Sequence, residues 1–267
     1  MGGQGPRRPR LRHEQIRNGS TLAGLAPTAS AGEVRKEPSP AAAGIPAAGR
    51  PVLVSDFDGT MTRYDFYDLV RRQWPLPPGD DPWENYVAGR CTHFEALAAI
   101  FGRLRCDEPA LLALVNRMEL DPTLPESARR LGAAGWEVVV ASAGCEWYVL
   151  SLLRHAGLGF AVYANPGDFS SAHGLRMRRP EGSRFFSRST GIDKAAVVRD
   201  ALGRTADVAF AGDGRPDLAP ALLVPGARRF ARGWLAGELR ARGEAFQPFD
   251  DWKQIADRLL LNPNSPC

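Results

Sequence analysis

The sequence predicts an α/β protein: a Rossmann-like three-layer sandwich with a parallel sheet, plus a small helical cap inserted after the first strand. Two observations predict this fold. From residue 51 onward, short apolar runs alternate with stretches of helical periodicity, the pattern of parallel strands joined by helices. Residues 62–122 break this alternation because they are helical throughout, and they therefore predict a cap within a core that spans residues 49–267.

The predicted strands and helices follow from the period of the apolar residues. Short runs rich in Val, Ala and Phe are typical of buried parallel strands, which we expect at residues 51–55, 136–141, 160–164, 207–211 and, more weakly, 227–231. Helical periodicity predicts core helices at residues 126–132, 146–156, 193–202, 234–242 and 251–261. The cap is expected to hold helices at residues 64–73, 92–104 and 108–118.

Residues 1–48 are predicted to form a disordered basic tail. They are rich in Gly, Pro, Ala, Ser and Arg and hold few aromatic or β-branched residues, so they cannot bury enough apolar surface to offset the entropy of ordering. Residues 1–50 carry eight Lys/Arg and three Asp/Glu, whereas the whole chain has a net charge of +4. The positive charge therefore belongs to the tail, and nucleic acid is not an expected partner of the body.

The composition also argues against a membrane protein. No apolar run approaches the ~20 residues that span a bilayer, and no apolar signal segment follows the first arginines. The cysteines form no CxxC pair and have no histidine at metal-ligand spacing: Cys91, Cys106, Cys145 and Cys267. We therefore expect reduced thiols and a cytoplasmic location.

Two carboxylates follow the first predicted strand, in the run Asp56-Phe-Asp58-Gly59-Thr60. Ligands of open α/β sheets bind beyond the carboxyl ends of the strands, so both side chains are expected to face that crevice. Such a pair allows one carboxylate to attack while the other is held protonated as an acid. Gly59 permits a sharp turn that brings backbone N–H groups close to an anion. The alternative is a solvated acidic turn, since Asp-Gly turns are common.

A second acidic group follows the predicted strand at residues 207–211. Asp213 and Asp217 lie in the run Gly212-Asp-Gly-Arg-Pro-Asp217. Mg²⁺ prefers oxygen ligands and keeps several waters, so Asp56 and Asp213 from neighbouring strands, with a phosphate oxygen, would suffice to bind it. For Asp217, the alternative is a role in capping the next helix.

Ser142 and Lys194 complete the candidate site. Ser142 and Ala143 follow the second strand and precede a helix, where a hydroxyl and exposed N–H groups form an anion site, although serine there is also a common N-cap. Lys194 follows Asp193 at the start of a helix and could neutralise a phosphate together with the nucleophile. Its alternative is an ordinary solvated charge.

In this order, the four motifs resemble those of the haloacid dehalogenase (HAD) superfamily, and the resemblance covers residues 51–261. It implies the strand order 5-4-1-2-3. It also implies Asp56 as nucleophile and Asp58 as general acid/base. The implied phosphate ligands are Gly59, Thr60, Ser142, Ala143 and Lys194. The implied Mg²⁺ ligands are Asp56, the main-chain carbonyl of Asp58, Asp213 and, directly or through waters, Asp217. An Asp at position 58 is typical of the phosphatases and phosphomutases of the superfamily, because its dehalogenases lack Asp there and P-type ATPases carry Thr.

The helical cap is similar to that of the subclass containing phosphoserine phosphatase. The runs at residues 92–102 and 230–235 more closely resemble the branch of 2-hydroxy-3-keto-5-methylthiopentenyl-1-phosphate phosphatases, enzymes of methionine salvage. That branch often carries a cysteine-rich insert before the motif lysine, whereas residues 176–190 hold five arginines and no cysteine. Asp65 matches the substrate-binding acid of phosphoserine phosphatases, but it could equally cap the first cap helix.

The resemblance implies a Mg²⁺-dependent phosphatase of a small phosphorylated metabolite, with a methylthio sugar phosphate as one candidate. A phosphoserine-type or other small-metabolite phosphatase, a phosphomutase and a catalytically idle HAD binding domain are the alternatives. The histidines outside the tail lack a partner that suggests a metal site or triad, so they are interpreted as structural or surface residues: His93, His155 and His173. The sequence makes no prediction of the oligomeric state.

Overall fold

The computed structural model describes residues 49–77 and 79–261, so the tail predicted at residues 1–48 lies outside the described residues. The strands are β1 (Val52–Ser55), β2 (Glu137–Cys145), β3 (Ala161–Asn165), β4 (Gly167–Ser170), β5 (Gly174–Met177), β6 (Phe186–Ser187), β7 (Gly191–Ile192), β8 (Val208–Gly212), β9 (Arg229–Ala231) and β10 (Gln247–Pro248). Six of them form one parallel sheet in the order β10-β9-β8-β1-β2-β3. The predicted five-strand order is confirmed, and β10 extends the sheet at one edge.

The helices lie between these strands and after them. They are α1 (Phe66–Gln73), α2 (Pro82–Val87), α3 (His93–Phe101), α4 (Glu108–Asn116), α5 (Leu124–Ala133), α6 (Glu146–His155), α7 (Lys194–Arg204), α8 (Leu218–Ala221), α9 (Gly233–Ala241) and α10 (Trp252–Leu261). Within the described ranges, no helix has both the length and the apolar character to cross a membrane.

The sheet is buried on both faces, as the apolar run of β1 predicts. Val52, Leu53 and Val54 are all fully buried. Successive side chains of a strand point to opposite faces, so Leu53 packs in the cluster formed with α5, α6 and α10. Val52 and Val54 pack in the other cluster, formed with α7 and α9. Helices therefore cover both faces, which confirms the three-layer sandwich.

Four helices, α1 to α4, are inserted between β1 and α5; the sequence predicts this helical insertion and three of its helices, but not α2. The ends of this insertion meet, because Thr62 and Leu120 form an antiparallel bridge and the Asp121 N–H donates to the Met61 carbonyl at 2.9 Å. The apolar side chains of the insertion, such as Phe101, join the same cluster as Leu53. The insertion thus packs continuously onto the sheet layer, and the exact cap limits of 62–122 stay a prediction.

The sequence does not predict the shortest elements. Two antiparallel hairpins, β4–β5 and β6–β7, occupy the segment between β3 and α7. Strands of two to four residues are too short to show a period. Helix α2 is also short, and the carboxylate of Asp81 caps it by accepting a hydrogen bond from the Trp83 N–H at 2.9 Å.

Candidate active site

The register of the sheet brings the predicted site residues to one edge. Ser55, the last residue of β1, lies opposite Val140 of β2 and Ala211 of β8. Asp56 follows Ser55 directly, and both neighbouring strands run in parallel toward the same edge. The motif residues of all three strands therefore emerge where ligands of open α/β sheets bind. Helix α7 begins at Lys194 and delivers that side chain to the same place.

Lys194 and two carboxylates form a buried ionic centre. The Lys194 Nζ donates to Asp56 Oδ1 and to Asp217 Oδ1, each at 2.6 Å, and the three residues are at most 5% exposed. Burial alone would lower the pKa of Lys194, but the charges of Asp217 and Asp56 raise it above its ordinary value. Burial and the charge of Asp217 raise the pKa of Asp56 as well. The centre therefore holds more negative charge than one lysine balances.

Asp217 also fixes the loop that carries Asp213. Its Oδ2 accepts hydrogen bonds from the backbone N–H groups of Asp213, at 3.1 Å, and Gly214, at 2.8 Å. Both carboxylate oxygens of Asp217 thus have protein partners, but its side chain makes no capping bond to the following helix, α8, so the helix-capping alternative lacks that contact. Its role as a metal ligand stays a prediction.

Gly59 and Thr60 lie against Asp213. Gly59 has a φ of +68°, and a Cβ there would lie 2.4 Å from Asp213 Oδ2, so the position requires glycine on both counts. Its N–H donates to Thr62 Oγ1 at 3.1 Å, and the Thr60 hydroxyl donates to Asp213 Oδ1 at 3.2 Å. These contacts shape the carboxylate side of the site, and a phosphate-binding role for Gly59 and Thr60 stays a prediction.

The donor set suits a divalent cation. Asp56, Asp213 and Asp217 each offer an oxygen, and the three oxygens lie within 4.8 Å of one another. Burial, together with the charge of Asp217, raises the pKa of Asp213 to about 7. Carboxylate oxygens are the ligands that Mg²⁺ prefers, and its charge would offset their mutual repulsion. The residues present therefore fit the predicted Mg²⁺ site.

Asp58 has a different environment from Asp56. Its Oδ2 accepts a hydrogen bond from the Tyr148 hydroxyl at 2.9 Å, and its Oδ1 accepts one from the Phe66 N–H at 3.2 Å. The Ser142 hydroxyl lies 3.4 Å from Oδ2. Burial raises the pKa of Asp58, although the bonds from Tyr148 and Phe66 partly lower it. Burial raises the pKa of both carboxylates, so their partners distinguish them: Asp56 contacts the Lys194 ammonium, and Asp58 contacts the Tyr148 hydroxyl.

The end of β2, where the register with β3 shifts between Ala141 and Cys145, is held from two sides. Ser142 and Ala143 thus lie within the strand, whereas the sequence predicts that they follow it, because the irregular register breaks the apolar pattern. The Gly144 N–H donates to Ser142 Oγ at 2.9 Å, and Asn165 Nδ2 donates to the Ala143 carbonyl at 2.8 Å. A Cβ on Gly144 would lie 1.9 Å from the Tyr148 hydroxyl. Gly144 therefore leaves the space through which Tyr148 reaches Asp58.

Arg232 fixes the loop after β1 from the opposite side. Its guanidinium donates to the carbonyls of Gly59 at 2.6 Å, Thr60 at 3.3 Å, Thr62 at 2.7 Å and Asp250 at 2.9 Å. It also lies over the ring of Phe249, 5.1 Å from the centroid. Because four carbonyls converge on one rigid fork, the turn that follows Asp56 is held in a single geometry.

A cavity of about 320 Å³ opens over these groups. Asp56, Asp58, Lys194 and Asp213 line it from the sheet edge. The helices inserted after β1 supply a largely apolar wall: Tyr67, Trp83, Val87, His93, Leu97 and Phe101. The cavity is thus charged at the sheet edge and apolar toward the helices, which suits a phosphate attached to a partly apolar group.

Asp65 belongs to this cavity. It occupies the N-cap position of α1, but its side chain accepts no hydrogen bond from that helix. Asp58 takes the Phe66 N–H instead. The capping alternative therefore lacks a contact, and the Asp65 carboxylate is available to a ligand. Burial, together with the charge of Asp213, raises its pKa.

The structure adds residues that the sequence analysis does not assign to the site. Tyr148 and Arg232 carry no local sequence signal, because only the folded chain brings them to Asp58 and Gly59. The interpretation of His93 as structural or surface is incomplete, since it is buried and lines the cavity. The sequence feature that could have identified His93 is its position as the first residue of a cap helix, directly after Thr92 of the Thr92–Glu95 capping box. His155 and His173 are exposed, as expected.

Comparisons with known proteins agree with this architecture. Residues 53–222 match the family model described as haloacid dehalogenase-like hydrolase. The 2-hydroxy-3-keto-5-methylthiopentenyl-1-phosphate phosphatase of Exiguobacterium sibiricum is 23% identical over 78% of this chain and 95% of its own. The phosphatase of the same name from Brevibacillus brevis is 23% identical over 78% of this chain and 96% of its own. A phosphoserine phosphatase, solved as a phospho-aspartyl intermediate analogue, superposes with a TM-score of 0.56 at 15% identity, over 78% of this chain and 98% of that one.

Proposed function

Because the chain belongs to the haloacid dehalogenase-like hydrolase family, we propose that it is a Mg²⁺-dependent phosphatase that hydrolyses a small phosphomonoester through a phospho-aspartyl intermediate on Asp56. One observation carries this proposal. Two carboxylates at the end of one strand lie in opposite environments: Asp56 against the Lys194 ammonium, and Asp58 against the Tyr148 hydroxyl. That difference assigns attack to the first and proton transfer to the second.

In the first step, a carboxylate oxygen of Asp56 forms a bond to phosphorus while the bond to the leaving oxygen breaks. Burial raises the pKa of Asp58, which favours the protonated form that gives its proton to that oxygen. The substrate leaves as an alcohol, and the phosphoryl group stays on Asp56 as an acyl phosphate. Lys194 and Ser142 are placed to bind the phosphoryl oxygens.

In the second step, water attacks phosphorus and Asp58 takes the water's proton. The bond between phosphorus and the Asp56 oxygen breaks, which restores the carboxylate and releases inorganic phosphate. Tyr148 and the Phe66 N–H keep Asp58 oriented during both transfers. Mg²⁺, held by Asp56 and Asp213 with the Asp58 carbonyl, would supply positive charge that stabilises the transferred phosphoryl group.

For the substrate, we propose a methylthio sugar phosphate of methionine salvage. The names of the two relatives support this choice, and so does the apolar wall of Trp83, Leu97 and Phe101. Burying a methylthio group against that wall would contribute about 1–2 kcal/mol, or roughly tenfold in specificity. Asp65 would accept a hydrogen bond from a substrate hydroxyl.

Phosphoserine is the second candidate, because two charged residues of the cavity complement it. Asp65 could pair with its ammonium group, and the exposed Arg215, which lies over the Trp234 ring at 4.8 Å, could pair with its carboxylate. The fold likeness to phosphoserine phosphatase agrees with this alternative but does not select it.

A substrate panel tests the proposal. Purified protein is assayed for phosphate release from methylthiopentenyl phosphate, phosphoserine and other small phosphomonoesters, with Mg²⁺ and with a chelator. We expect Mg²⁺-dependent release, with the highest kcat/KM for the methylthio substrate and a changed ranking in Asp65→Ala. Equal kcat/KM values for the first two substrates would contradict the methionine-salvage assignment. Rearrangement of a phosphate ester without phosphate release would indicate a mutase, and no turnover of any ester would indicate a binding domain.

A cytoplasmic location is also part of the proposal. Cys91, Cys106 and Cys145 are free thiols, which is typical of proteins from a reducing compartment. Cell fractionation checks this expectation, and recovery of the protein with secreted or membrane material would contradict it.

A further inference from the structure

His93 lies in the apolar part of the cavity, and within the described ranges neither nitrogen of its ring has a hydrogen-bond partner. It is the first residue of α3 and is 6% exposed. Nδ1 is buried away from the cavity, so Nε2 is the nitrogen that a ligand in the cavity can reach. A polar atom without a partner in an apolar wall destabilises a fold, so an unpaired imidazole there points to a ligand.

The imidazole is held in place by its surroundings. The ring of Trp83 meets it edge-on at 5.7 Å, and that of Tyr86 does so at 5.1 Å. The backbone is fixed as well, because Thr92 caps α3 and the Phe94 N–H donates to the Ser189 carbonyl at 2.9 Å. A rigid ring aimed at a ligand loses little entropy when the ligand binds.

The imidazole of His93 is neutral at physiological pH. Burial, with the charge of Lys194 adding to it, lowers its pKa to about 3. A neutral imidazole offers one N–H donor and one nitrogen acceptor and carries no charge. It therefore suits an uncharged hydroxyl or carbonyl oxygen better than a second phosphate or a carboxylate.

The position of His93 separates it from the phosphate. The charged groups at the sheet edge, Lys194 and the carboxylates, are the proposed site of phosphoryl transfer, whereas His93 lies among apolar residues of the inserted helices. We propose that His93 is a specificity-determining residue, whose imidazole hydrogen-bonds an uncharged hydroxyl or carbonyl oxygen of the leaving group. This inference rests on the proposed phosphatase function and extends it to the recognised part of the substrate.

The test compares two esters of similar size that differ in these oxygens, dihydroxyacetone phosphate and propyl phosphate. The quantity measured is the ratio of their kcat/KM values. His93→Phe keeps a ring between Trp83 and Tyr86 but removes both nitrogens, so we expect the ratio to fall about tenfold or more. His93→Gln restores an amide near the place of Nε2 and should recover part of the ratio. The matched control is His155→Phe, the same change at an exposed histidine, which should leave the ratio unchanged.

The outcomes separate the inference from the proposed function. A ratio in His93→Phe within about twofold of the wild-type ratio overturns the role of His93 while leaving the phosphatase intact. Wild-type protein that hydrolyses members of the substrate panel but neither of these two esters overturns the inference alone, whereas protein that releases phosphate from no ester overturns the proposed function and the inference with it. If His93→Phe does not fold, His93→Gln against His93→Leu takes its place, and equal ratios in those two variants overturn the inference.

Discussion

At the scale of single residues, the local environment gives chemically identical side chains of the site different roles. Asp56 and Asp58 are two positions apart, yet one contacts an ammonium and the other a phenol. The sequence predicts both carboxylates, because motif spacing and the end of a strand are local properties. It does not predict Tyr148 or the cavity position of His93, because a residue on the apolar side of a helix carries no mark of what it meets after folding.

The buried state of His93 predicts a pH dependence of stability. Its pKa is about 3 in the fold and about 6.5 in the unfolded chain, so between these values only the unfolded chain binds the proton. The neutral, buried imidazole of His93 therefore makes its full contribution to the free energy of unfolding above about pH 6.5, and this contribution is lost as the pH falls toward 3. Between about pH 6 and 5, the free energy of unfolding of wild type should fall by about 1 kcal/mol more than that of His93→Phe.

Urea unfolding at both pH values measures this difference. His155→Phe is the control, because it makes the same change at an exposed histidine, and this variant should follow wild type. Parallel pH curves for wild type and His93→Phe would contradict the neutral, buried imidazole.

At the scale of elements, the site is a set of strand ends and loops held by residues from elsewhere in the chain. Arg232, which precedes α9, fixes the turn after β1. Asn165, at the end of β3, fixes the end of β2 through the Ala143 carbonyl. The sequence predicts the strand ends themselves, since short apolar runs mark them. It does not predict the contacts of Arg232 and Asn165, because hydrogen bonds between side chains and distant carbonyls leave no periodic pattern.

The Arg232 clamp predicts that even a change to lysine is costly. Arg232→Lys keeps the charge but lacks the planar fork that bonds four carbonyls, so we expect a loss of about 2 kcal/mol in the free energy of unfolding and about tenfold in kcat/KM. The control is Arg242→Lys, at an exposed arginine that pairs with Glu238, where both values should stay close to wild type. Denaturant unfolding and steady-state kinetics measure the effects. An Arg232→Lys enzyme that matches Arg242→Lys in both would contradict the clamp.

At the scale of the whole molecule, the parallel sheet assembles a charged site and the inserted helices close it with an apolar wall. The alternation of strands and helices predicts the parallel sheet correctly, because each apolar run is long enough to show its type, and the strand order that the family resemblance implies is confirmed. The hairpins, α2 and β10 escape prediction because they span only two to six residues. Because negative charge is in excess at the sheet edge, a bound divalent cation should raise the thermal stability of the folded protein.

Mg²⁺ should stabilise the folded protein through Asp213. At about pH 8, above the Asp213 pKa of about 7, the carboxylates repel one another and a cation relieves this repulsion. A concentration of about 100 times Kd would stabilise the fold by about 2.7 kcal/mol, which corresponds to a rise of several degrees in Tm. Asp213→Asn should lose this rise and, without metal, should be at least as stable as wild type, because one repelling charge is gone.

Thermal unfolding with chelator and with Mg²⁺ measures both effects, and a potassium salt of matched ionic strength is the control. A rise in Tm that persists in Asp213→Asn would contradict the metal site, and a marked loss of metal-free stability in that variant would contradict the charge repulsion.

The catalytic unit is predicted to lie within residues 49–267. The first strand of the sheet begins at Val52, and the family match begins at residue 53. Protein that starts at Ala48 should therefore keep the kcat/KM of the full chain within about threefold. The comparison uses one preferred substrate and thermal unfolding of both forms. A folded but inactive short form would show that residues 1–47 belong to the active site.

The central claim is that Asp56 carries the phosphoryl group, and trapping the intermediate tests it most directly. Protein that turns over its preferred phosphomonoester with Mg²⁺ is quenched in acid, digested and analysed by mass spectrometry. We expect one phosphoryl group on Asp56. Hydroxylamine should remove it, because the bond to Asp56 is an acyl phosphate. It should be absent from a folded Asp56→Asn variant whose turnover is about 10⁴-fold lower or worse, and present in Asp168→Asn, an exposed carboxylate. A phosphoryl group on another residue, or an Asp56→Asn enzyme that keeps about a tenth of wild-type turnover, would contradict the account.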